Sequence, residues 1–244
     1  MNIGTIFSNT FGLLSRNFLL FFTLSFVGTL LVAFLQIALL GMDSFAPAPP
    51  PEISDDMTPE EVSAAMMAGF DGGLLLWNFF SQILYSVLSA VLHLAAWDRI
   101  QNRAPRIADY VGLSAHMVLP LFFLSVAMGI LMVIGFFFLI VPGLYVFAMF
   151  AVLVPVIVVE RRGWGAFQPT IALTHGHRWK ILLAYLALGI PLFLVLAIVG
   201  GAFSAAGGDA LGAMIAVNVV VSALFLAIFA IFTTEIYAQL RAAE

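Results

Sequence analysis

The chain has 244 residues and a formal charge of −4, with 63% hydrophobic residues and 9% charged ones. Soluble domains carry about 25% charged residues, so a water-soluble fold of this length lacks the polar surface to cover itself, and a mean hydropathy of +1.13 points to hydrocarbon as the solvent. The absence of cysteine excludes disulfides and thiolate metal sites, and the nine sparse Lys and Arg residues form no basic stripe for nucleic acid.

A hydrocarbon core needs about 20 mostly apolar residues per helix. Residues 18–42 are the first such run, longer than the roughly 7–15 apolar residues of a cleaved signal, and read as a retained span. An outer loop, 43–72, follows. It opens with the stiff, proline-rich 46–51, and then Thr58-Pro59-Glu60-Glu61 has the form of a helix start. Thr58 caps, Pro59 takes the first helical position, and Glu61 completes a capping box. Val62, Met66 and Phe70 share a face, which predicts a short helix on the outer leaflet. Met42, Met57, Met66 and Met67 lie in or beside this loop. Thioethers suit Cu(I), but with no His or Cys beside them they read as apolar surface.

The second span is 73–97. Residues 117–159 carry no charge. One straight helix of that length would run about 64 Å, twice the hydrocarbon core, so the chain must turn back. Pro142-Gly143 is the expected turn, since Pro stops the hydrogen-bond ladder and Gly tolerates a tight bend. Spans three and four are then 117–140 and 143–159. The fifth is 181–206 and the sixth 213–234, with Gly207-Gly208-Asp209 turning between them.

These spans put Arg16, Arg99, Arg103, Arg106, Arg161, Arg162, Arg178, Lys180 and Arg241 all on one side. The opposite loops contain none, and carry Asp43, Glu52, Asp55, Asp56, Glu60, Glu61, Asp71 and Asp209 instead. The positive-inside rule places both termini in the cytoplasm. Short, partly apolar segments at 4–15, 106–116 and 163–175 each precede an odd-numbered span. Thr10-Phe-Gly-Leu13 echoes Thr170-Ile-Ala-Leu173, and Arg16-Asn-Phe18 echoes His177-Arg-Trp179. The expected fold is therefore an all-α, polytopic membrane helix bundle. A single domain, 1–244, holds six transmembrane helices as three hairpins, each preceded by a short cytoplasmic surface helix. Ala197, Gly201 and Ala205, with Gly200, Ser204 and Gly208 beside them, form small-residue ridges that suit close helix packing within the bundle or in a dimer. Pro120, Pro155 and Pro191 lie inside spans and are expected to kink them.

No catalytic or phosphate-cradling motif is present. The chain is read as a non-enzyme without cofactor or metal. Polar groups within spans are the remaining candidates: His93, Glu235, Asn78 and Gln82 as an intramembrane cluster, with His93 and Glu235 close enough to the same boundary to pair, and Gln36 and Asn218 elsewhere. The loop between spans four and five holds Arg161, Arg162, Arg178 and Lys180, with Trp164 and Trp179 among them. Trp favours the headgroup level, and basic residues there attract anionic lipid. This loop is expected to lie flat on the cytoplasmic leaflet and hold acidic headgroups. The plainer alternative is that its charges only set orientation.

Leu139-Ile-Val-Pro-Gly-Leu-Tyr145, Val154-Pro-Val-Ile-Val-Val-Glu160, Gly165-Ala-Phe167, Ala172-Leu-Thr174, Gly176 and Arg178-Trp179 occur in order, and Asn17-Phe18 stands near the start. This pattern resembles the YciC-like family of uncharacterised bacterial inner-membrane proteins, and the membrane domain attached to some glycerophosphoryl diester phosphodiesterases. It departs at Pro169-Thr170, where the family commonly has Arg-Ser. No phosphodiesterase catalytic domain is present, so that activity is not implied. The resemblance implies a multi-pass protein of the bacterial cytoplasmic membrane. The expected role is non-enzymatic: envelope organisation, lipid handling through membrane phospholipids, or a partner module for a second copy or another protein. The alternative is a small transporter or channel with a site in the cytoplasmic half of the bundle.

Overall fold

The computed structural model describes residues 1–45, 54, 57–58, 60–62, 72–138, 140–205 and 211–243, and every regular element among them is helical. Helix α1, Ile3–Arg16, is capped by Asn2, whose side chain accepts from the Thr5 N–H at 3.3 Å. Asn17 leaves helical geometry (φ −125°) and separates α1 from α2, Phe18–Leu40. Gly41 (φ +84°) ends α2, its N–H meeting the Ile37 carbonyl at 2.9 Å. A 3-10 turn, Met42–Phe45, follows. The remaining helices are α3, Gly72–Ile100; α4, Ile107–Phe138; α5, Ile140–Phe150; α6, Leu153–Val159; α7, Phe167–Thr174; α8, Arg178–Ala205; and α9, Leu211–Arg241.

Six stretches of the described chain are long and apolar enough to cross a membrane: α2, α3, α4, the pair α5–α6, α8 and α9. They divide into two classes by burial. In the apolar windows of α3, α5–α6 and α9, 50%, 56% and 44% of residues are buried; in α2, α4 and α8 the shares are 28%, 22% and 28%. The second span of each hairpin is thus inner and the first is outer. The inner helices touch one another, α3 with α6 and α9, and α9 with α6. Each outer helix lies on the inner helix of the preceding hairpin, α4 on α3, α8 on α5, and, closing the circle, α2 on α9. The surface helices obey the same rule: α1 lies on α9, and α7 on α5 and α6. The bundle therefore has a quasi-threefold order, as the sequence echoes suggest. Thr10 and Thr170, matched in that echo, are both fully buried. Large apolar side chains such as Leu19, Phe34, Val133 and Phe193 remain exposed on the outer helices, as they should where lipid is the solvent.

Three expectations change. First, residues 107–116 are not a separate surface helix but run unbroken into α4. Nothing there does what Asn17 does after α1, or Gly176 (φ +77°) after α7. Second, Pro142 and Gly143 do not make the outer turn; they lie in the first turn of α5. A proline there sacrifices only an N–H that has no helical partner. Gly143 serves close approach instead: a Cβ added to Gly135 of α4 would stand 2.8 Å from the Gly143 Cα. Third, packing within the bundle is not seen at the described positions of the small-residue ridge on α8, since Ala197, Gly200 and Gly201 are exposed and a Cβ added to either glycine meets no atom within 4 Å. Pro120 and Pro191 sit within continuous helices, whereas Pro155 lies just beyond an interruption at Ala151-Val152.

The capping box is present. The Thr58 N–H and hydroxyl both donate to Glu61 Oε2, at 2.7 and 2.9 Å, and the Glu61 N–H donates to Thr58 Oγ1 at 3.3 Å. The Thr58 N–H, and after it the Thr58 hydroxyl, hold the Glu61 carboxyl below its ordinary pKa. The proline-rich 46–51, Met66, Met67 and Phe70, and the turn at 207–209 lie outside the described residues.

Candidate functional site

Two polar regions emerge: a cavity inside the bundle and the basic rim. The cavity begins with the interruption of span four. Pro155 has no N–H to give the carbonyl four residues back, that of Ala151. Tyr185 of α8 supplies the missing donor: its hydroxyl lies 3.3 Å from the Ala151 oxygen and 2.7 Å from Thr233 Oγ1 on α9. The Met149 carbonyl, just before the interruption, accepts from Thr174 Oγ1 at 3.0 Å. Backbone freed at membrane depth must find partners within the protein, and two hydroxyls from other elements provide them. Beside the interruption is a cavity of about 170 Å³, lined by His93, Ser89, Ser125 and Thr233 with Phe147 and Phe150. His93 is buried, and its Nδ1 lies 2.7 Å from the Ser89 carbonyl oxygen. A carbonyl only accepts, so this contact fixes the proton on Nδ1.

The four candidates of the expected intramembrane cluster do not come together. Glu235 turns to α1, where the Asn9 amide donates to it at 3.3 Å, rather than to His93. Asn78 is exposed and donates to the Leu74 carbonyl of its own helix at 2.9 Å. Gln82 is exposed as well. Both pairing candidates sit near one end of the bundle, but helical phase aims them at different neighbours.

At the basic rim, the segment 160–180 is folded. A 3-10 turn, Gly163–Ala166, leads into α7, which buries Thr170, Leu173 and Thr174. Arg162 Nε donates to Glu160 at 2.8 Å, as does the guanidinium of Arg241, and the Tyr237 hydroxyl donates to the same carboxylate at 3.0 Å. Arg178 lies over the Tyr145 ring, 4.8 Å from its centroid, and bonds the Tyr145 hydroxyl. Arg162 and Arg178 are therefore engaged within the protein. Arg161, Lys180, Trp164 and Trp179 are exposed, and Trp164 packs 5.9 Å from the Phe123 ring. Glu160 is the organising residue that the sequence reading passed over. Its only sequence signal is position, as an acid closing a span and followed at once by two arginines.

The rim also holds a larger opening, about 620 Å³, between the end of α3, the start of α4 and the end of α6. Arg103, Arg106, Arg161 and His116 line it together with the apolar Trp97 and Val158. The acids in its wall are both engaged: Asp98 accepts from the Tyr110 hydroxyl, and Asp109 pairs with Arg106 at 3.7 Å. The side chains of Arg103 and Arg161 make no hydrogen bond or ion pair among the described residues. Arg161 holds φ +55°, a left-handed conformation that suits glycine or asparagine. Strain of this kind clusters at functional sites.

Comparison with known proteins gives one informative likeness. A UPF0259 membrane protein of Photorhabdus laumondii is 30% identical over 146 residues, covering 59% of this chain and 52% of that protein. The chain thus spans about half the length of the curated relative it matches. No family model matches the chain, and no solved structure matches it. Together with the six apolar helices, the likeness marks the chain as a multi-pass membrane protein similar to an uncharacterised bacterial group.

Proposed function

We propose that this chain is a non-enzymatic protein of the bacterial cytoplasmic membrane, akin to the YciC-like proteins, that handles lipid by holding the phosphate of an anionic phospholipid at its cytoplasmic rim. The observation that supports this reading is the 620 Å³ opening, where two uncommitted guanidiniums, Arg103 and Arg161, stand over an apolar wall that includes Trp97 and Val158. Guanidinium forks match phosphate oxygens, and the wall offers a surface for the first methylenes of the chains. The test is to replace Arg103 and Arg161 together by Gln and weigh the lipid that co-purifies. The variant is expected to lose phosphatidylglycerol selectively while retaining phosphatidylethanolamine; unchanged phosphatidylglycerol sinks the reading and leaves the charges to orientation alone.

A second reading, a small transporter, draws on the interrupted span beside the His93 cavity. Broken helices build transporter sites. At about 170 Å³ the cavity would admit only a small solute. Solute flux into proteoliposomes that His93→Phe abolishes would favour this reading; no flux would leave it without support.

A further inference from the structure

The quasi-threefold order predicts three equivalent notches around the rim, and each is built from three parts. One is a basic residue at the end of an inner helix, the next is a basic residue on the surface segment that begins the same hairpin or loop, and the last is an acid from the end of the preceding inner helix. The first notch is the opening already described, with Arg161, Arg103 and Asp98 in these places. The second lies between α1 and α3 and has about 390 Å³; Arg99, Arg16 and Glu235 fill the places, with Asn9 and Asn102 beside them. The third has Arg241, Arg162 and Glu160.

The three differ in what the acid does. In the third notch the Glu160 carboxylate sits between both guanidiniums at 2.8 Å and closes the site. In the first, the Tyr110 hydroxyl of the surface segment takes Asp98. In the second, the Asn9 amide of the surface helix takes Glu235, and its carboxylate makes no ion pair with Arg16 or Arg99. The Nε of Arg99 is buried and meets no acceptor among the described residues. In the first two notches the acid thus makes no ion pair with the guanidiniums, as Glu160 does in the third.

We infer that the notch between α1 and α3, lined by Arg16 and Arg99, is a second site for the phosphate of an anionic lipid headgroup, equivalent to the one at Arg103 and Arg161. This rests on the lipid reading above and adds a stoichiometry to it. Phosphate on a lipid and phosphate on a soluble ester share the chemistry that guanidiniums recognise, so the test separates the two.

The protein is reconstituted in nanodiscs of phosphatidylcholine with a minor fraction of phosphatidylglycerol, and the bound lipids are counted by native mass spectrometry. The parent should retain two phosphatidylglycerols, Arg103→Gln/Arg161→Gln one, Arg16→Gln/Arg99→Gln one, and the fourfold variant none. Asn102→Asp, which keeps a residue tolerant of its left-handed backbone (φ +56°) and adds a carboxylate to the second notch beside Glu235, should also retain one. It serves as the check should the paired variant fail to fold. Glu160→Gln frees Arg162 and Arg241 and should raise the count to three. If Arg16→Gln/Arg99→Gln and Asn102→Asp both still hold two while Arg103→Gln/Arg161→Gln holds one, this inference is wrong and the first site stands. If the parent holds none, the lipid reading itself fails. Loss of bound lipid on adding excess inorganic phosphate overturns the lipid assignment in favour of a soluble phosphoester.

Discussion

The Tyr185 hydroxyl stands 3.3 Å from the carbonyl oxygen of Ala151, the acceptor that Pro155 deprives of its helical donor. Replacing Tyr185 by Phe leaves that carbonyl without a partner inside the bundle, and orphaning a buried acceptor costs about 1–3 kcal/mol. Pro155→Ala restores an N–H at the position that would normally serve the same carbonyl. The loss caused by Tyr185→Phe should therefore shrink in the Pro155→Ala background. Thermal unfolding of the four members of this cycle in one detergent measures the coupling. Equal losses in both backgrounds would show that the Tyr185 hydroxyl acts through its bond to Thr233 rather than through the Ala151 carbonyl.

This pair also shows how far sequence reasoning reaches. The six spans were legible because lipid demands long charge-free windows, and six helices of that kind are present. The interruption at Ala151-Val152 was not, since its residues are ordinary helix formers in an apolar run, and only Pro155 hinted at it. Pro142-Gly143 carried the stronger break signal yet lies within α5, because a proline in a first turn disturbs nothing and Gly143 answers to a neighbour, Gly135, rather than to a turn. Of the expected lipid-contact residues, Arg161 lines the rim opening, whereas Arg162 and Arg178 turn inward to Glu160 and Tyr145. Long-range partners of that kind leave no periodic trace in sequence.

Two glycines distinguish backbone approach from side-chain approach. A Cβ at Gly135 meets the Gly143 Cα at 2.8 Å, and two helix backbones must part to admit it. A Cβ at Gly28 meets the methyls of Leu88 at 2.6 Å, which can rotate aside. Gly135→Ala should destabilise the protein by about 1–3 kcal/mol and Gly28→Ala by clearly less. Midpoints of unfolding in a common detergent compare them, and equal losses would contradict the close α4–α5 contact.

The capping box titrates. The Thr58 N–H and hydroxyl hold the Glu61 carboxyl below its ordinary pKa. A carboxyl depressed in the folded state stabilises its helix start above the unfolded pKa, and the effect is lost as pH falls through the folded value. The residue-58 amide resonance followed by NMR on acidification should move with a midpoint below that of an unstructured glutamate, and Thr58→Ala, which removes the hydroxyl but keeps the N–H, should raise the midpoint part of the way.

Orientation is testable without structural detail. Reporter fusions after residue 1, near residue 104 and after residue 244 should all read as cytoplasmic, and one at Ser54 as external, because the basic residues gather at one end. A C-terminal fusion active outside the membrane would require an odd number of crossings and would remove the premise of the rim sites.

Arg161 offers the sharpest separation of structure from function. Its φ of +55° belongs to a region that a non-glycine residue enters at a cost of about 1–3 kcal/mol. Arg161→Gly relieves that strain and at the same time removes a guanidinium from the rim opening. Arg161→Gln removes the guanidinium but keeps the strain. If Arg161 is held there for an anion, the glycine variant should be at least as stable as the parent in lipid-free detergent, by up to about 1 kcal/mol, yet retain less phosphatidylglycerol. The glutamine variant should retain equally little without the gain in stability. Unfolding midpoints and lipid counts from the same preparations decide it. A glycine variant that is both less stable and unchanged in lipid would mean that Arg161 supports the fold through contacts of its own, and that the site belongs to the remaining arginines.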